Sequence, residues 1–249
     1  MSQILPSRII GLLAAATLAL VGCGGSGDSR DNADKQVQKS DAASTGTPTP
    51  TPSPSPTIDK AAERKLAEES TLKLEDFPSG WTEADSDDDS NTSGCDAVET
   101  AKTQTTARAT APSFSHGDST QVQNSIYVFA DEQTAAGQFE QLTLKETRSC
   151  YAKAVAKALA TAGGLKVGKV ESSRLSMDPL GDDRDAGCIT VPVTSQGVDV
   201  DVVVDMVFVR ADRGMTITLF IDVFTPFDSD LRDQLTVTSV RRLSDNLNA

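Results

Sequence analysis

The clearest pattern in the chain is an alternation of apolar and acidic residues in its C-terminal third. Residues 198–208 carry valine, methionine or phenylalanine at every second position, with Asp199, Asp201 and Asp205 between them. A period of two is typical of a strand with one buried and one exposed face. Residues 215–223 alternate in the same way after a short polar turn, which predicts a hairpin. We therefore expect the carboxylates of the first strand on a solvated face.

Apolar residues at helical spacing predict helices on both sides of these strands. One helix begins at Asp131, a residue type that caps helix N-termini, and a second covers residues 149–160. Another is predicted after Pro226, and a weaker helical pattern covers residues 96–107. The apolar positions concerned are Ala135, Phe139, Leu142, Tyr151, Val155, Leu159, Leu231, Leu235, Val240 and Leu243. Further strands are predicted at residues 122–129, 165–175 and 189–193.

The order of these elements predicts the class of fold. A strand, two helices, about four further strands and a final helix indicate an α+β domain with an antiparallel sheet. We expect a single domain over residues 72–249, in which about five strands carry helices on one face. Residues 59–70 are rich in Ala, Glu and Lys and fit either a short helix or more linker.

The N-terminal end has the pattern of an export signal. An apolar run at residues 9–21 follows Arg8; it is shorter than the roughly 20 residues that cross a bilayer as a helix, and it fits a signal peptide. Residues 20–23 (Leu-Val-Gly-Cys) resemble the bacterial lipobox. The sequence therefore predicts removal of residues 1–22 and lipidation (palmitate) at Cys23, which would anchor the protein on the extracytoplasmic face of the cell membrane. The alternative is an ordinary signal peptide in which this cysteine stands by chance.

A polar, proline-rich segment separates this cysteine from the predicted domain. Residues 24–58 contain almost no large apolar side chain, and proline alternates with threonine or serine over residues 47–56. Such a segment buries too little surface to offset its ordering entropy, and alternating prolines favour a semi-rigid polyproline II spacer. We interpret residues 23–71 as a disordered tether. A ligand for a proline-recognition domain is the alternative.

The charge of the chain limits its partners. The formal net charge is -13, and removal of residues 1–22, whose only charged side chain is Arg8, changes it to -14. A chain this acidic repels nucleic acid and anionic lipid surfaces. We therefore expect no nucleic-acid partner, and membrane contact only through the lipid. Aromatic residues make up 4% of the chain, with Trp81 the single tryptophan, so the core should be aliphatic.

Three cysteines, Cys95, Cys150 and Cys188, follow the lipobox. Export places them in an oxidising compartment, where an odd number allows at most one internal disulfide. We favour Cys95–Cys150, with Cys150–Cys188 as the alternative. Metal ligation by the three thiols is disfavoured because the chain lacks a C-x-x-C pair.

No pattern of catalytic residues stands out. His116 is the only histidine, which excludes a His-rich zinc site, and the chain has no G-x-S-x-G nucleophile motif. Asp199 and Asp201 are spaced as an acid/base pair of a glycoside hydrolase would be, but a half-exposed strand needs the same alternation. We therefore expect a protein that is not an enzyme and that uses no cofactor.

An acidic loop before Cys95 invites a calcium interpretation. Asp85, Asp87 and Asp89 match positions 1, 3 and 5 of an EF-hand loop. Asp88 and Asn91 belong to the same acidic segment. However, a serine stands where that loop needs its glycine, and Asp96 stands where a glutamate is usual. We favour a solvated acidic loop without a metal.

Several short motifs together resemble actinobacterial cell-envelope lipoproteins. Residues 77–81 (Phe-Pro-Ser-Gly-Trp) match the opening "leucine or phenylalanine, Pro, x, Gly, Trp" of such domains, and a cysteine follows. Residues 128–135 match a "Val-Phe-x-Asp-x-x-x-Ala" join between strand and helix, and residues 241–243 (Arg-Arg-Leu) match the closing helix. The chain is similar to the extracellular sensor domain of mycobacterial serine/threonine kinases and to small lipoproteins with a PsbP/Mog1-like fold. This resemblance implies ligand sensing or protein binding, and no catalytic residues.

Two functions follow from these observations as expectations. In the first, a small or lipidic ligand binds in a pocket between the sheet and its helices, near Phe77, Trp81 and the exposed side of the sheet. In the second, a basic envelope protein docks on the same acidic face, at Asp199 and Asp201, or on the segment from Phe77 to Trp81.

Overall fold

The computed structural model describes residues 58–84, 95–161 and 165–249. The helices in these ranges are α1 (Lys60–Ser70), α2 (Asp96–Gln104), α3 (Glu132–Thr143), α4 (Lys145–Thr161) and α5 (Ser229–Leu247). The strands are β1 (Trp81–Ala84), β2 (Thr105–Thr110), β3 (Ser113–His116), β4 (Thr120–Phe129), β5 (Leu165–Val167), β6 (Glu171–Arg174), β7 (Asp183–Ser195), β8 (Val198–Ala211) and β9 (Gly214–Val223). None of these helices has both the length and the apolar character that crossing a membrane requires.

Several predicted features lie outside the described residues. They are the signal peptide, Cys23, the proline-rich part of the tether, and the acidic loop with Asp85, Asp87, Asp88, Asp89 and Asn91. Asp96 is described and begins α2. Within the described ranges, no group of three or more His, Cys, Asp or Glu side chains is arranged to hold a metal ion.

The strands form one antiparallel sheet with the order β1-β3-β4-β9-β8-β7-β5, in which β2 also pairs with β4 and β6 with β7. The antiparallel α+β class is confirmed, and the long predicted strands become β4, β7, β8 and β9. The expected number of about five strands is too low, since the described residues contain nine. Most of the additional strands are short. Strands β2 and β3 lie in a segment of small residues that gives a weak alternation, and β5 and β6 divide the predicted strand at 165–175.

Helices cover both faces of the sheet, whereas the sequence predicted one covered face. Helices α2, α3 and α4 pack against the face that carries Val202, Val204 and Met206. Helices α1 and α5 cover the opposite face, where Val207 and Val209 are buried. The reason is that β8 is buried on both faces from Val202 onward. The alternation of exposed aspartates with valines holds only for its first residues, 198–201.

The position of Asp205 contradicts the prediction that the carboxylates of this strand lie on a solvated face. Its side chain is 2% exposed, and Nη1 of Arg232 in α5 donates to its Oδ2 at 2.9 Å. Its Oδ1 has no hydrogen-bond partner among the described residues. A buried carboxylate that loses its cation is strongly destabilising, so this ion pair couples the position of α5 to the middle of β8.

A buried asparagine joins the same helix to the sheet. Asn124 in β4 is fully buried, and its Nδ2 donates to hydroxyl oxygens of Thr216, Thr218 and Ser239 at 2.9–3.2 Å. Its Oδ1 accepts from the backbone N–H of Leu72 at 3.0 Å. Buried polar groups need such partners, and these bonds fix α5 and the segment before β1 against one face.

Helix α1 belongs to the fold, whereas the sequence left this segment open between helix and linker and placed the domain start near Leu72. Ala67 is fully buried. The guanidinium of Arg213 donates to both carboxylate oxygens of Glu63 at 2.6 and 2.9 Å, and this hydrogen bonding lowers the pKa of Glu63. The burial of Ala67 and the ion pair of Glu63 with Arg213 hold this helix on the sheet. A packed helix is predicted from a pattern of large apolar residues, and neither of these contacts produces one.

The predicted disulfide Cys95–Cys150 is confirmed, with Cα atoms 5.8 Å apart. It joins the residue before α2 to helix α4. Cys188 in β7 is free and half-buried, so the alternative pairing Cys150–Cys188 does not occur.

Candidate functional site

An open cleft of about 490 Å³ lies at the end of the sheet where α5 begins. We call it the Trp81 cleft. Its walls come from the turn before β1, from β3, β4 and β9, and from the first turns of α5. The residues that give it its chemistry are Trp81, His116, Asp222, Phe227, Asp228 and Asp230.

A tight turn places Trp81 at the cleft. Gly80 has φ of 94°, a conformation that glycine adopts without strain, and a Cβ there would lie 3.3 Å from Nε2 of His116. Strand β1 then pairs with β3 so that Trp81 stands opposite His116. The indole and imidazole rings stack with centroids 5.6 Å apart. His116 is therefore exposed at the end of β3 and lies against the tryptophan.

The floor behind the cleft is aromatic. Trp81 is 9% exposed, with its ring centroid 4.8 Å from that of Phe77 and 6.3 Å from that of Phe227. Phe77 also contacts Phe114, and Phe227 contacts Phe220, at 4.3 and 4.9 Å between centroids. Packed rings of this kind are held firmly by their neighbours. Trp81 therefore presents a fixed apolar edge to the cleft, with Phe77 behind it.

Three carboxylates, from Asp222, Asp228 and Asp230, line the cleft. Burial raises the pKa of Asp222, and the hydrogen bond that Thr120 Oγ1 donates to its Oδ2 at 2.8 Å only partly offsets this effect. Asp228 caps α5 by accepting from the backbone N–H of Leu231 at 2.8 Å. Among the described residues, no lysine or arginine lines the cleft, and no ion pair involves any of the three carboxylates.

The predicted candidates Asp199 and Asp201 line a different, open groove of about 480 Å³ at the start of β8. We call it the Phe224 groove. Both aspartates are exposed, and Thr194 Oγ1 donates to Asp199 Oδ1 at 2.6 Å. The backbone N–H of Phe224 donates to the carbonyl of Asp201 at 2.8 Å. Phe224 is 51% exposed and has φ of 92°, which is unfavourable for a bulky side chain.

The structure thus brings the sequence candidates together in two pairs. Phe77 lies behind Trp81, which lines the Trp81 cleft, whereas Asp199 and Asp201 line the Phe224 groove. Sequence reasoning missed the other groups of the Trp81 cleft. One signal was available for Asp222, because it is the only acidic residue of β9 and stands on the face of the hairpin opposite the main apolar stripe.

The free thiol of Cys188 gives a first testable prediction. Burial raises its pKa to about 11, and the negative charge of Asp205, its partner across the β7–β8 ladder, adds to the effect. Because the thiolate is the reactive form, we expect slow alkylation by iodoacetamide at pH 8 and a rate that rises as the pH approaches 11. Mass spectrometry of the labelled chain measures this rate. The unfolded chain, in which the thiol has its ordinary pKa, is the control, and equal rates in both states would contradict the prediction.

Comparison with known proteins gives little likeness. No protein-family model and no curated protein matches the chain. A solved structure that resembles it is the crystal structure of the extracellular domain of PknH from Mycobacterium tuberculosis. The two chains are 11% identical with a TM-score of 0.43, over 78% of this chain and 98% of that chain. A likeness this distant shows no family and carries no argument about function.

Proposed function

We propose that this chain is a lipid-anchored, extracytoplasmic binding domain without catalytic activity, and that its ligand binds in the Trp81 cleft. The observation that carries the proposal is the cleft itself, in which an aromatic wall and three carboxylates that form no ion pair with a described residue surround about 490 Å³. A concave site with an apolar wall and a few polar groups is the usual form of a small-molecule site.

The sequence supports the location of this domain. The lipobox-like residues 20–23 supply a cysteine for lipidation, and a multiply acylated cysteine anchors a protein stably. The proline-rich segment that follows would hold the domain away from the membrane. The confirmed disulfide suits an oxidising compartment outside the cytoplasm.

Native mass spectrometry tests the proposed site. The full chain in nonionic detergent is incubated with an envelope extract from the source organism, and we expect it to retain a small compound. Gln234→Phe places a ring in the cleft from an exposed position of α5 and should abolish retention. Val237→Phe, at an exposed position of the same helix outside the cleft lining, is the matched control and should retain the compound. A bare chain in every extract, or equal loss in both variants, would contradict the proposal.

The Phe224 groove supports a second candidate function, the docking of an envelope protein. An exposed phenylalanine beside Asp199 and Asp201 offers an apolar contact with negative charge next to it, which suits a partner with a basic, partly apolar surface. Under this function, Asp199→Lys with Asp201→Lys should abolish crosslinking to the partner in intact cells and leave the Trp81 cleft occupied. Crosslinking that survives this charge reversal would remove the second candidate.

The backbone of Phe224 gives a testable prediction independent of any partner. We expect Phe224→Gly to raise the free energy of unfolding by about 1 kcal/mol, because glycine adopts a positive φ without strain and the lost side chain is mostly exposed. Urea unfolding measures the change. Val198→Gly removes a side chain of similar exposure, 48%, without a positive φ, and should lower stability. If both variants lose stability equally, Phe224 is not strained.

A further inference from the structure

We infer that the open edge of β8 at residues 198–201 binds an extended, basic segment of another protein, which adds to the sheet as a further antiparallel strand. This inference rests on the second candidate function, docking at the Phe224 groove, and names the form and the chemistry of the partner. The observations that carry it are the unpaired backbone of this edge, the side chains on its two faces, and its charge.

Strand β8 continues beyond the end of its neighbour β9. The β8–β9 ladder ends at Val202, whereas the β7–β8 ladder continues to Val198. Phe224, with φ of 92°, leaves the sheet after a last hydrogen bond from its N–H to the carbonyl of Asp201 at 2.8 Å. In the described part of the chain, residues 198–201 are therefore paired along one side, with β7, and open along the other.

The backbone of this edge offers hydrogen bonds to a further strand. The carbonyl of Asp201 points away from β7, since it accepts from Phe224. Backbone groups alternate in direction along an antiparallel strand, so the N–H and the carbonyl of Asp199 point to the open side as well. Neither group has a backbone partner among the described residues. Unpaired groups of this kind are a template on which an extended peptide adds as a strand.

The side chains on the two faces of the edge specify the pattern of the added strand. Asp199 and Asp201 are exposed on one face, and the hydroxyl of Thr194 donates to the Asp199 carboxylate at 2.6 Å. Val198, 48% exposed, and the partly buried Val200 lie on the other face. Residues that stand directly opposite in an antiparallel pair point to the same face. A segment that alternates lysine or arginine with apolar residues therefore matches both faces.

The charge of the edge decides between a foreign segment and a second copy of this chain. Asp199 and Asp201 form no ion pair with a described residue, and Lys166 on the same face lies two strands away, on β5. A second copy at this edge would set aspartates against aspartates, which is destabilising. A basic segment removes this repulsion, and Phe224, 51% exposed, gives its apolar residues a contact.

Nuclear magnetic resonance of the ¹⁵N-labelled full chain in nonionic detergent tests the inference, with the acetylated and amidated hexapeptide Lys-Val-Lys-Val-Lys-Val as probe. We expect saturable shifts of the Asp199 and Asp201 amides, and slower hydrogen exchange at Asp199. Because the lysine side chains face the aspartates, the lysine backbone N–H groups donate to β8. Methylation of the lysine backbone nitrogens should therefore abolish binding. Methylation of the valine backbone nitrogens is the matched control and should keep the affinity within about twofold.

Two variants of the chain test the contribution of charge with the same peptide. Asp199→Asn/Asp201→Asn should weaken binding about fivefold, because two exposed ion pairs with the lysines are lost. Glu146→Gln/Asp245→Asn removes the same charge at exposed positions of α4 and α5, outside the groove lining. This control should keep the affinity within about twofold, since charges distant from the peptide are screened by salt.

The outcomes separate strand addition from docking in general. Equal affinities of the two methylated peptides, or equal weakening in the two double variants, would overturn the inference. An Asp199 amide already protected from exchange in the free chain, by a second copy or by another part of this chain, would overturn it as well. If charge reversal at Asp199 and Asp201 abolishes crosslinking in cells but the methylated peptides bind equally, the groove is a docking site and only strand addition fails. If neither crosslinking nor peptide binding depends on these aspartates, both fail.

Discussion

Replacement of Arg232 by methionine should lower the free energy of unfolding by about 3–5 kcal/mol, because it leaves the buried carboxylate of Asp205 without a cation. The loss is expected to be large because the Asp205 side chain is 2% exposed and its Oδ1 has no other partner in the described structure. Urea unfolding at pH 7, followed by circular dichroism, measures it.

Two further variants identify the cause. Asp205→Asn combined with Arg232→Met removes the charge together with its partner and should be more stable than Arg232→Met alone. Arg64→Met breaks the exposed pair with Glu68 in α1, where the atoms are 2.8 Å apart, and should cost less than about 0.5 kcal/mol. If Arg232→Met costs no more than Arg64→Met, the ion pair does not hold α5 to the sheet.

Loss of the Cys95–Cys150 disulfide should lower stability by about 4 kcal/mol in the chain-entropy model. The bond closes a loop with a sequence separation of 55, so its removal greatly enlarges the set of unfolded conformations. The double variant Cys95→Ser/Cys150→Ser is compared with the parent chain by urea unfolding. It should unfold at a much lower urea concentration.

The free cysteine provides the control for this experiment. Cys188→Ser removes a half-buried thiol without opening a loop and should change stability by less than about 1 kcal/mol. A reducing agent should destabilise the parent chain and leave Cys95→Ser/Cys150→Ser unaffected. If the parent chain keeps its stability under reduction, the prediction that the Cys95–Cys150 disulfide stabilises the fold is wrong.

The central part of the fold could be predicted because its signals are local. Strands β8 and β9 alternate along their own sequence, and Asp131 and Asp228 cap α3 and α5 as their residue types indicate. The second covered face could not be predicted in the same way. The second buried face of β8 is formed by alternate residues, among them Val203, Val207 and Val209. Because these valines alternate with the residues of the first apolar face, a period of two detects only the first face.

The candidate site was predicted only in part, for a reason that lies in the topology. Trp81 could be chosen from its rarity and its turn motif, and Asp199 and Asp201 are exposed as expected. The other groups of the Trp81 cleft come from segments far apart in sequence. Pairing of β1 with β3, and of β4 with β9, brings His116 and Asp222 into the cleft that Trp81 lines. Strand order of this kind is not encoded in the spacing of any motif.

The central claim is that a ligand binds in the Trp81 cleft, and nuclear magnetic resonance of the ¹⁵N-labelled full chain in detergent tests it most directly. The chain has one tryptophan, so its indole Nε1–H gives one resonance that reports the cleft. On addition of envelope extract, we expect this resonance and the amide of Leu231 to shift, while the amide of Phe224 stays unchanged. An unchanged indole resonance with shifts confined to Phe224 and Asp199 would contradict the claim and would assign binding to the Phe224 groove.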